Sequence, residues 1–393
     1  MSGGKKKITS VLPLNDAKGY LCRTSGIHQI YQNPGTNTYQ FCAGYVSEQN
    51  TDSQGIPDFF IRRFDFDLSG KIPKITTTDT KPIKSAIWQG FSGFMPSVSH
   101  KDEIISGIGI IYTSGGREKT DLLKKALEIT EIERPLTDPE DRFNENPMVS
   151  PTDVKGICQS PDGTIAMILP SILLNESSAD DLKAIRENFI VCISEKAEKC
   201  RFKIHNTYIG SGSTLPEKYV PIDISKDNKI ATITAKQAYS TSYTMFLTIY
   251  DPNTESIRDI EAETNIYIES PDRDKPYRPV VKWSPDGQKV LYCLMESNSY
   301  LPPEVRIYDC NTDKTTKVEE VYDILSARWS PDGSKVGLLV RRDVNLFRKN
   351  EITSSLIPEP ALQYQMLVYE IKTGRIKVID KNTNYTDFFW TGK

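Results

Sequence analysis

The chain has 393 residues, of which 38% are apolar and 9% aromatic, enough to bury a core divided among several small units. The charged residues, 26% of the total, sum to a net charge of −3, so no strong field attracts nucleic acid or an anionic membrane. No apolar run approaches the ~18 residues that span a bilayer. We therefore expect neither a nucleic-acid partner nor insertion into a membrane.

The N-terminal segment is basic at residues 5–7, and the apolar stretch that follows, 8–14, is interrupted by Pro13 and two hydroxyl residues. This stretch is too short and too polar for the core of a secretory signal peptide. The seven cysteines are an odd number with no Cys-x-x-Cys pair, which is typical of free thiols in a reducing compartment. The sequence therefore predicts a cytoplasmic protein.

A four-residue turn, Ser-Pro-Asp-Gly, occurs three times, at residues 160–163, 284–287 and 330–333. Each copy precedes a short apolar run, and Trp283 and Trp329 directly precede the last two copies. Proline presets φ at the first turn position, aspartate caps the turn, and glycine supplies a positive φ. Self-similarity with this spacing predicts an array of identical strand units, in particular a β-propeller.

More divergent copies extend the series along the chain. Turn-like sequences at residues 33–35, 99–102 and 225–228 also precede apolar runs, which makes six inner hairpins. After each one comes an outer hairpin, in which an alternating strand leads into a polar turn. The predicted outer hairpins lie at residues 60–76, 122–136, 189–204, 246–254, 305–313 and 366–374.

The two ends of the chain supply the parts of one further blade. Residues 8–23 form an outer hairpin without an inner one, and residues 386–392 form a single strand, with Trp390 in the place of Trp283 and Trp329. Pairing of the two ends closes the ring and leaves no open edge. The sequence thus predicts an all-β, seven-bladed propeller in a single domain, 1–393. The predicted blades span about residues 27–80, 81–138, 146–206, 215–262, 277–320 and 321–380, with a hybrid blade of 6–25 plus 384–392.

The Trp-Ser-Pro-Asp-Gly turn, and an outer hairpin such as residues 366–374, resemble the repeats of TolB-like, or WD40-like, propellers. The resemblance is close at residues 280–318 and 324–379, partial at 154–204 and only in outline elsewhere, so it covers nearly the whole chain. It is specific to the fold alone. That family includes periplasmic scaffold proteins, propeller caps of serine peptidases and a cytosolic oligogalacturonate lyase, so the resemblance implies no single function.

Neither of the two enzymatic activities in that family fits these residues. A peptidase needs a hydrolase domain, and the sequence Gly-Phe-Ser-Gly-Phe at residues 90–94 lacks the second glycine of a nucleophile elbow. The resemblance to the lyase would imply a metal held mainly by histidines, but His28, His100 and His205 fall in different parts of the predicted ring. We therefore expect no catalytic residue, no metal and no cofactor.

Unequal connections indicate where a partner binds. The connections at residues 47–57, 175–187 and 341–363 are long and share one face, and insertions gathered on one face usually mark the binding face of a repeat protein. The longest is apolar and proline-rich with basic flanks, and its candidate binding residues are Arg341, Arg342, Phe347, Arg348, Leu356 and Ile357. Tyr277 and Arg278, just before an inner strand, are candidates for ligand contact at the channel mouth.

Two functions remain compatible with these observations. The leading hypothesis is a non-catalytic intracellular scaffold that binds another protein on the face with the long loops. The alternative is a carbohydrate-active enzyme, lyase-like or hydrolase-like, or a propeller that binds a sugar or small ligand at the mouth of its central channel. A thermal-shift screen with metals and oligosaccharides separates the two, because a ligand that binds only the native state raises Tm.

Overall fold

The structure is a computed structural model of the chain. It describes residues 19–21, 30–32, 36–51, 57–70, 74–79, 97–100, 103–106, 110–113, 118–121, 156–160, 162–173, 185–193, 200–204, 221–239, 242–267, 280–293, 304–322, 324–341, 364–383, 388 and 390. The ordered elements of these residues are all β-strands. The part of the chain so described contains no helix that could cross a membrane.

The strands form six sheets. Sheet 1 contains β1 (Gly19–Leu21), β2 (Ile30–Gln32), β3 (Thr38–Thr51), β4 (Pro57–Asp67) and β5 (Lys74–Asp79). Sheet 2 contains β6 (Ser97–His100), β7 (Glu103–Ser106), β8 (Ile110–Thr113) and β9 (Glu118–Asp121). Sheet 3 contains β10 (Gly156–Gln159), β11 (Ile165–Leu173), β12 (Ile185–Ile193) and β13 (Cys200–Ile204).

The second half of the chain repeats the four-stranded pattern. Sheet 4 contains β14 (Ile222–Ile224), β15 (Ile230–Tyr239), β16 (Ser242–Asp251) and β17 (Ser256–Tyr267). Sheet 5 contains β18 (Val280–Trp283), β19 (Lys289–Cys293), β20 (Glu304–Asp309) and β21 (Lys314–Tyr322). Sheet 6 contains β22 (Ile324–Trp329), β23 (Lys335–Arg341), β24 (Tyr364–Glu370) and β25 (Ile376–Thr383).

The sheets are joined side by side in chain order. Sheets 2 to 6 are four-stranded antiparallel meanders, and in sheet 1 both β1 and β2 pair with β3. The innermost strands of consecutive sheets contact one another in the order β2, β6, β10, β14, β18 and β22. Meanders that meet at their inner strands are the blades of a β-propeller. The predicted all-β, propeller-like fold is therefore confirmed for the described residues.

The apolar core lies between neighbouring sheets. In β19, Val290 and Tyr292 pack with residues of sheet 4, while Leu291 and Cys293 pack with residues of sheet 6, and all four are at most 1% exposed. Successive side chains of a strand point to opposite faces, so a strand that is covered on both faces needs a continuous apolar run. This requirement explains the apolar runs that follow the Ser-Pro-Asp-Gly turns of sheets 3, 5 and 6.

Two tryptophans, Trp329 and Trp390, bond back to the inner strand of the preceding sheet. Trp329 of sheet 6 donates its Nε1–H to the carbonyl oxygen of Lys282 in sheet 5, at 3.0 Å. Trp390 repeats this bond one step further along, donating to the carbonyl oxygen of Arg328 at 2.9 Å. Phe388 packs with Leu339 and other residues of sheet 6. The C-terminal segment thus docks on sheet 6 in the way that an inner strand of a following blade would.

The outer strands of sheet 2 differ from the prediction. The sequence predicted them within residues 122–136, which lie outside the described residues, whereas the third and fourth strands of this sheet are β8 and β9. β7 pairs with β8 through Ile105↔Ile111, and β8 pairs with β9 through Ile111↔Thr120. The sequence between β8 and β9 contains Gly115 and Gly116, a strong turn signal that the prediction passed over.

The N-terminal strand β1 also has a different partner from the predicted one. The prediction put it in the hybrid blade, but it pairs with β3, from Gly19↔Ser47 to Leu21↔Tyr45. β2 covers the same edge of β3 only at residues 39–41. Because β3 is 14 residues long, it extends far beyond β2, and β1 occupies the edge that would otherwise be open.

Candidate binding face

The meander connectivity gives the molecule two unlike faces. The turns that join the first to the second strand and the third to the fourth strand of each sheet share one face, here called the turn face. The hairpin ends between the second and third strands share the opposite face with the connections from one sheet to the next. We call this second face the loop face.

The turn face is built from turns whose polar groups satisfy one another. In sheet 5 the buried Ser284 Oγ accepts the backbone N–H of Lys289 at 2.9 Å and donates to Asp286 Oδ1 at 2.5 Å. The N–H of Gly287 donates to the Ser284 carbonyl oxygen at 2.8 Å, with φ of +70° at the glycine. Only glycine adopts that φ without strain. The Ser-Pro-Asp-Gly motif is therefore a self-contained turn clamp.

The aspartates of these clamps are held ionised. Hydrogen bonds from the Ser330 and Ser334 hydroxyls and the Ser334 amide lower the pKa of Asp332 to about 2. Burial acts to raise the pKa of Asp162, but hydrogen bonds from Asn228, Ser160 and Thr164 outweigh it and lower the pKa well below its usual range. A carboxyl group with a lowered pKa does not serve as a general acid near neutral pH. In the structure these carboxylates accept the hydrogen bonds that close their turns.

Neighbouring turns also touch each other. Asn228 of sheet 4 donates its Nδ2–H to Asp162 Oδ2 of sheet 3, at 3.0 Å. A Cβ at Gly287 of sheet 5 would lie 3.3 Å from Asp227 Oδ2 of sheet 4, and one at Gly333 of sheet 6 would lie 3.7 Å from Pro285 Cδ of sheet 5. From sheet 3 to sheet 6 the turn face is thus a continuous band of packed turns.

A charged pair links the inner strands of sheets 4 and 5. Asp223 Oδ2 accepts the backbone N–H of Trp283 at 2.7 Å, and Asp223 Oδ1 lies 3.6 Å from Lys282 Nζ. The two side chains are only 13% and 19% exposed. Burial, and then the charge of Asp223, raise the pKa of the nearby Cys158 thiol well above its usual range, so this thiol stays protonated. The pair acts as a clasp between blades.

A second clasp joins the same two sheets at the outer side of the turn face. Arg258 of β17 forms an ion pair with Asp313 and lies over the ring of Tyr308, 5.6 Å from its centre. The Tyr308 hydroxyl donates to Asp313 Oδ1 at 2.9 Å. Burial, and then that bond, raise the pKa of Tyr308 above its usual value, so the phenol stays neutral. This geometry connects blades and offers no reactive phenolate.

On the loop face, by contrast, hairpins extend beyond the inner strands. In sheet 3, β10 pairs with β11 only as far as Ile168, whereas β11 and β12 stay paired up to Leu173↔Ile185. In sheet 1, β3 and β4 are paired as far as Val46↔Phe59 and, after an irregularity, again at Thr51↔Pro57. Part of the connection predicted at residues 47–57 is therefore strand.

Sheet 4 has another such extension, in which β15 continues for seven residues beyond its last pair with β14. β14 pairs with β15 only from Ile224↔Ile230 to Ile222↔Thr232. β15 and β16 continue together to Tyr239↔Ser242, and β17 accompanies β16 up to Ser242↔Tyr267. Beyond the loop-face end of β14, sheet 4 therefore consists of three strands, β15, β16 and β17, which project from the loop face.

Most of the sequence-predicted binding residues lie outside the described residues. Arg341 is the exception, since it is the last residue of β23, opposite Tyr364 at the loop-face end of sheet 6. The predicted residues for which the structure gives no position are Arg342, Phe347, Arg348, Leu356, Ile357, Tyr277 and Arg278. Their roles stay predictions, as does the alternative site at the channel mouth.

The predicted histidines are not brought together in the described part of the chain. His100 ends β6, opposite Glu103, while His28 and His205 lie outside the described residues. Among the residues that the structure describes, no group of three or more His, Cys, Asp or Glu side chains is placed to hold a metal ion.

Comparisons with known proteins give structural similarity without a family. No family model matches the chain, and no curated protein matches it. An oligogalacturonate lyase from Vibrio parahaemolyticus matches 96% of this chain and 82% of its own, at 10% identity and a TM-score of 0.47. TolB from Acinetobacter baumannii matches 87% and 69%, at 12% identity and a TM-score of 0.34.

The β-propeller domain of the Trilobed protease from Pyrococcus furiosus is also similar, at 15% identity and a TM-score of 0.36. That match covers 58% of this chain and 58% of the archaeal domain, so the two share little more than half of their length. The propeller-like architecture of this chain rests on its own six sheets and on the contacts between their inner strands.

Proposed function

We propose that the protein is a non-catalytic scaffold that binds another protein on its loop face. The supporting observation is that the second-to-third-strand hairpins of sheets 1, 3 and 4 all rise above their inner strands on that face. Raised hairpins at one end of a propeller form walls around the mouth of its channel, and such projecting elements of repeat proteins usually carry binding. The turns of the turn face are short and bonded to one another, so they project less than the hairpins of the loop face.

The test shortens the raised hairpin of sheet 3 and removes only one pair, Asn188↔Ile204, between β12 and β13. Replacing residues 170–188 by Asn-Gly keeps Leu169↔Phe189 as the last rung of β11 and β12, closed by a two-residue turn that suits a hairpin. We expect the shortened chain to lose the proteins that the full chain retains in affinity purification from its native cells. Its Tm should stay close to that of the full chain, because the residues removed lie beyond the end of β10.

The matched controls are Asn311→Ala and Lys372→Ala, which change exposed residues of the turn face. They should retain the same proteins as the full chain. Retention of an unchanged set of proteins by the shortened chain would show that this wall takes no part in binding. Loss of the set in both controls would place the binding surface on the turn face instead.

We also propose that the protein works in the cytoplasm. Cys158 is a free, buried thiol and Cys310 is a free, partly buried one, which suits a compartment in which thiols stay reduced. Alkylation of the denatured protein immediately after lysis of the native cells should find these thiols reactive. A disulfide at either of them would contradict the proposal.

The finer architecture that we propose is a seven-bladed ring closed by a hybrid blade. In sheets 4, 5 and 6, one cross-strand pair of the second and third strands packs against the preceding sheet, for example Val290↔Tyr308 against sheet 4. The corresponding pair in sheet 6 is Val336↔Tyr369. In sheet 1 this position is taken by Tyr39↔Phe66, 3% and 4% exposed, within an aromatic cluster.

Both ends of the described array are thus suited to a further blade. The apolar face of sheet 1 is the one that, in later sheets, receives a preceding blade. At the other end, Phe388 and Trp390 dock on sheet 6 as the start of a following blade. One additional blade between the two ends would satisfy both faces and remove the open edges.

A further inference from the structure

The second strand of sheet 4 has an edge that its neighbour covers only in part. On one side β15 pairs with β16 over its whole length, but on the other side β14 ends at Ile222↔Thr232. The residue before β14 is Pro221, which would stand opposite Ile233 and has no N–H to donate to a ladder. The proline therefore stops the inner strand at a point where seven residues of β15 still follow.

The phase of the ladder decides which backbone groups face that edge. The N–H of Ser225 donates to the carbonyl oxygen of Lys229 at 2.8 Å, so Lys229 directs its backbone groups towards β14. In an antiparallel pair, alternate residues of a strand direct their N–H and C=O to the same side. Lys229 is therefore followed at every second residue by one that faces the same side. Among these residues, Ala235 and Gln237 direct their N–H and C=O groups to the edge beyond the end of β14.

The opposite edge of β15 is firmly occupied at the same height. Ala235↔Met245 and Gln237↔Tyr243 pair β15 with β16, and Met245↔Glu263 pairs β16 with β17. Three strands thus stand side by side, and in the described part of the chain no fourth strand adjoins β15 above Thr232. The N–H and C=O groups along a strand edge that no neighbouring strand covers form a template for strand addition.

The same chain already shows how an edge of this kind is covered. In sheet 1, β3 extends beyond β2, and β1 adds to the uncovered stretch as a short antiparallel strand at residues 45–47. The short inner strand and the long second strand of sheet 4 repeat this arrangement. Sheet 1 has an added strand, and the described residues of sheet 4 have none.

We infer that the edge of β15 from Ala235 to Tyr239 binds an extended segment of a partner protein as an added antiparallel strand. This inference rests on the proposed function, since the edge lies on the loop face, and it specifies the mode of recognition. The contacts are main-chain hydrogen bonds, so the partner segment needs free N–H groups at alternate residues and an extended backbone, and it tolerates varied side chains. β-Branched residues, which favour extended backbones, suit it best.

Hydrogen exchange of the free chain tests whether the edge is open. We expect the amides of Ala235 and Gln237 to exchange rapidly, while those of Ala231, paired with β14, and Lys236, paired with β16, stay protected. Protection of Ala235 and Gln237 in the free chain would mean that another segment of this chain covers the edge. That result would overturn the inference.

Binding is tested with a displayed library of random twelve-residue peptides selected on the full chain. Ala235→Pro and Gln237→Pro each remove one N–H from the open edge and leave the ladder with β16 intact. For the enriched peptides we expect about tenfold weaker binding to either variant, the effect of losing one main-chain hydrogen bond. Ala235→Val keeps the N–H and should bind as the unchanged chain does. Circular dichroism and Tm verify that each variant is folded.

A second probe acts from the side of the peptide. N-Methylation of alternate residues should abolish binding in one phase of the alternation and leave it unchanged in the other, because only one set of N–H groups meets β15. No enriched peptide, or peptides that bind both proline variants normally, would overturn the inference. Neither result would contradict the proposed scaffold function, because that proposal is tested separately by the shortened hairpin of sheet 3.

Discussion

Single serine and aspartate side chains determine the inner turns of this protein. Ser330 Oγ donates to Asp332 Oδ1 at 2.6 Å and accepts the N–H of Lys335 at 2.9 Å, so one hydroxyl satisfies a carboxylate and a backbone amide together. Ser160 and Ser284 occupy the same place in their turns. The motif thus satisfies most of its polar groups within five or six residues of chain.

The ionised aspartates make stability depend on pH. The pKa of Asp332 is lowered to about 2 by hydrogen bonds, from about 3.9 in an unfolded chain. A group with a lowered folded-state pKa contributes stability that is complete above the unfolded value and is lost as pH falls through the folded value. Between about pH 4 and pH 2, unfolding should therefore become easier in part through Asp332.

The variant Asp332→Asn isolates this contribution. It keeps an acceptor at Oδ1 but does not titrate, so its urea midpoint should fall less between pH 6 and pH 2.5 than that of the unchanged chain. Ser334→Ala removes one of the donors to Asp332 and should give an intermediate acid dependence. Equal acid dependence in all three proteins would show that the hydrogen bonds of this turn do not stabilise the ionised form.

At the scale of the element, the inner strands are held to one another by different means. Trp329 and Trp390 reach back to a backbone carbonyl oxygen of the preceding inner strand. Between sheets 4 and 5 the two inner strands are instead joined by the Asp223 carboxylate, which accepts the backbone N–H of Trp283. The Nε1–H of Trp283 is buried and has no hydrogen-bond partner among the described residues.

Two matched substitutions follow from this difference. Trp329→Phe removes a hydrogen bond and leaves the Lys282 carbonyl oxygen without that donor. Trp283→Phe removes a buried donor for which the described residues provide no acceptor. Both lose similar apolar volume, so we expect Trp329→Phe to cost about 1 kcal/mol more of unfolding free energy than Trp283→Phe. Urea unfolding of the two variants measures it. Equal costs would mean that the Trp329 bond contributes nothing net.

At the scale of the whole molecule, the proposed ring depends on how the two ends meet. Gly337 of β23 leaves room for the C-terminal segment, since a Cβ there would lie 2.4 Å from Phe388 Cε2 and 3.3 Å from Trp390 Cζ2. A side chain at residue 337 would therefore displace these residues from sheet 6. Because the last residues would start the hybrid blade, their displacement should open the ring.

Energy transfer between dyes attached enzymatically to the two termini tests the closure. We expect high transfer efficiency in the unchanged chain and lower efficiency in Gly337→Ala. Gly374→Ala is the control for backbone strain without steric overlap, because that glycine, unlike Gly337, has a positive φ of +67°, and its nearest neighbour, Tyr369 Oη, lies 3.8 Å from the added Cβ. Low efficiency in the unchanged chain would mean that the ends lie apart, and the seven-bladed ring would be wrong.

The sequence predicted those features that depend on local interactions. The Ser-Pro-Asp-Gly turns and the apolar runs after them identified the inner hairpins of sheets 3, 5 and 6, and the divergent turns identified those of sheets 1, 2 and 4. Trp390 makes the same bond as Trp329, as its place in the repeat required. Turn chemistry and strand alternation act within a few residues, so periodicity is sufficient to detect them.

The candidate face was only partly predictable. Long connections indicated the loop face, but the extension of β15 beyond β14 was missed, although Pro221 before a short inner strand was a readable signal. Sheet 2 was mispredicted because the sequence offered two alternating segments after β7, and a strand pattern does not specify its partner. The placement of β1 on β3 was missed for the same reason.

The amino-acid sequence alone determined the repeat, the turn type and the apolar runs that make blades, because each follows from residue chemistry over short distances. Only the tertiary structure decided how far each strand runs and which edge each short strand occupies. A strand pairs through backbone groups that every residue carries, so its length and partner depend on which neighbouring edges are available once the sheets have packed. The stretch of β15 that β14 leaves uncovered is a consequence of that packing.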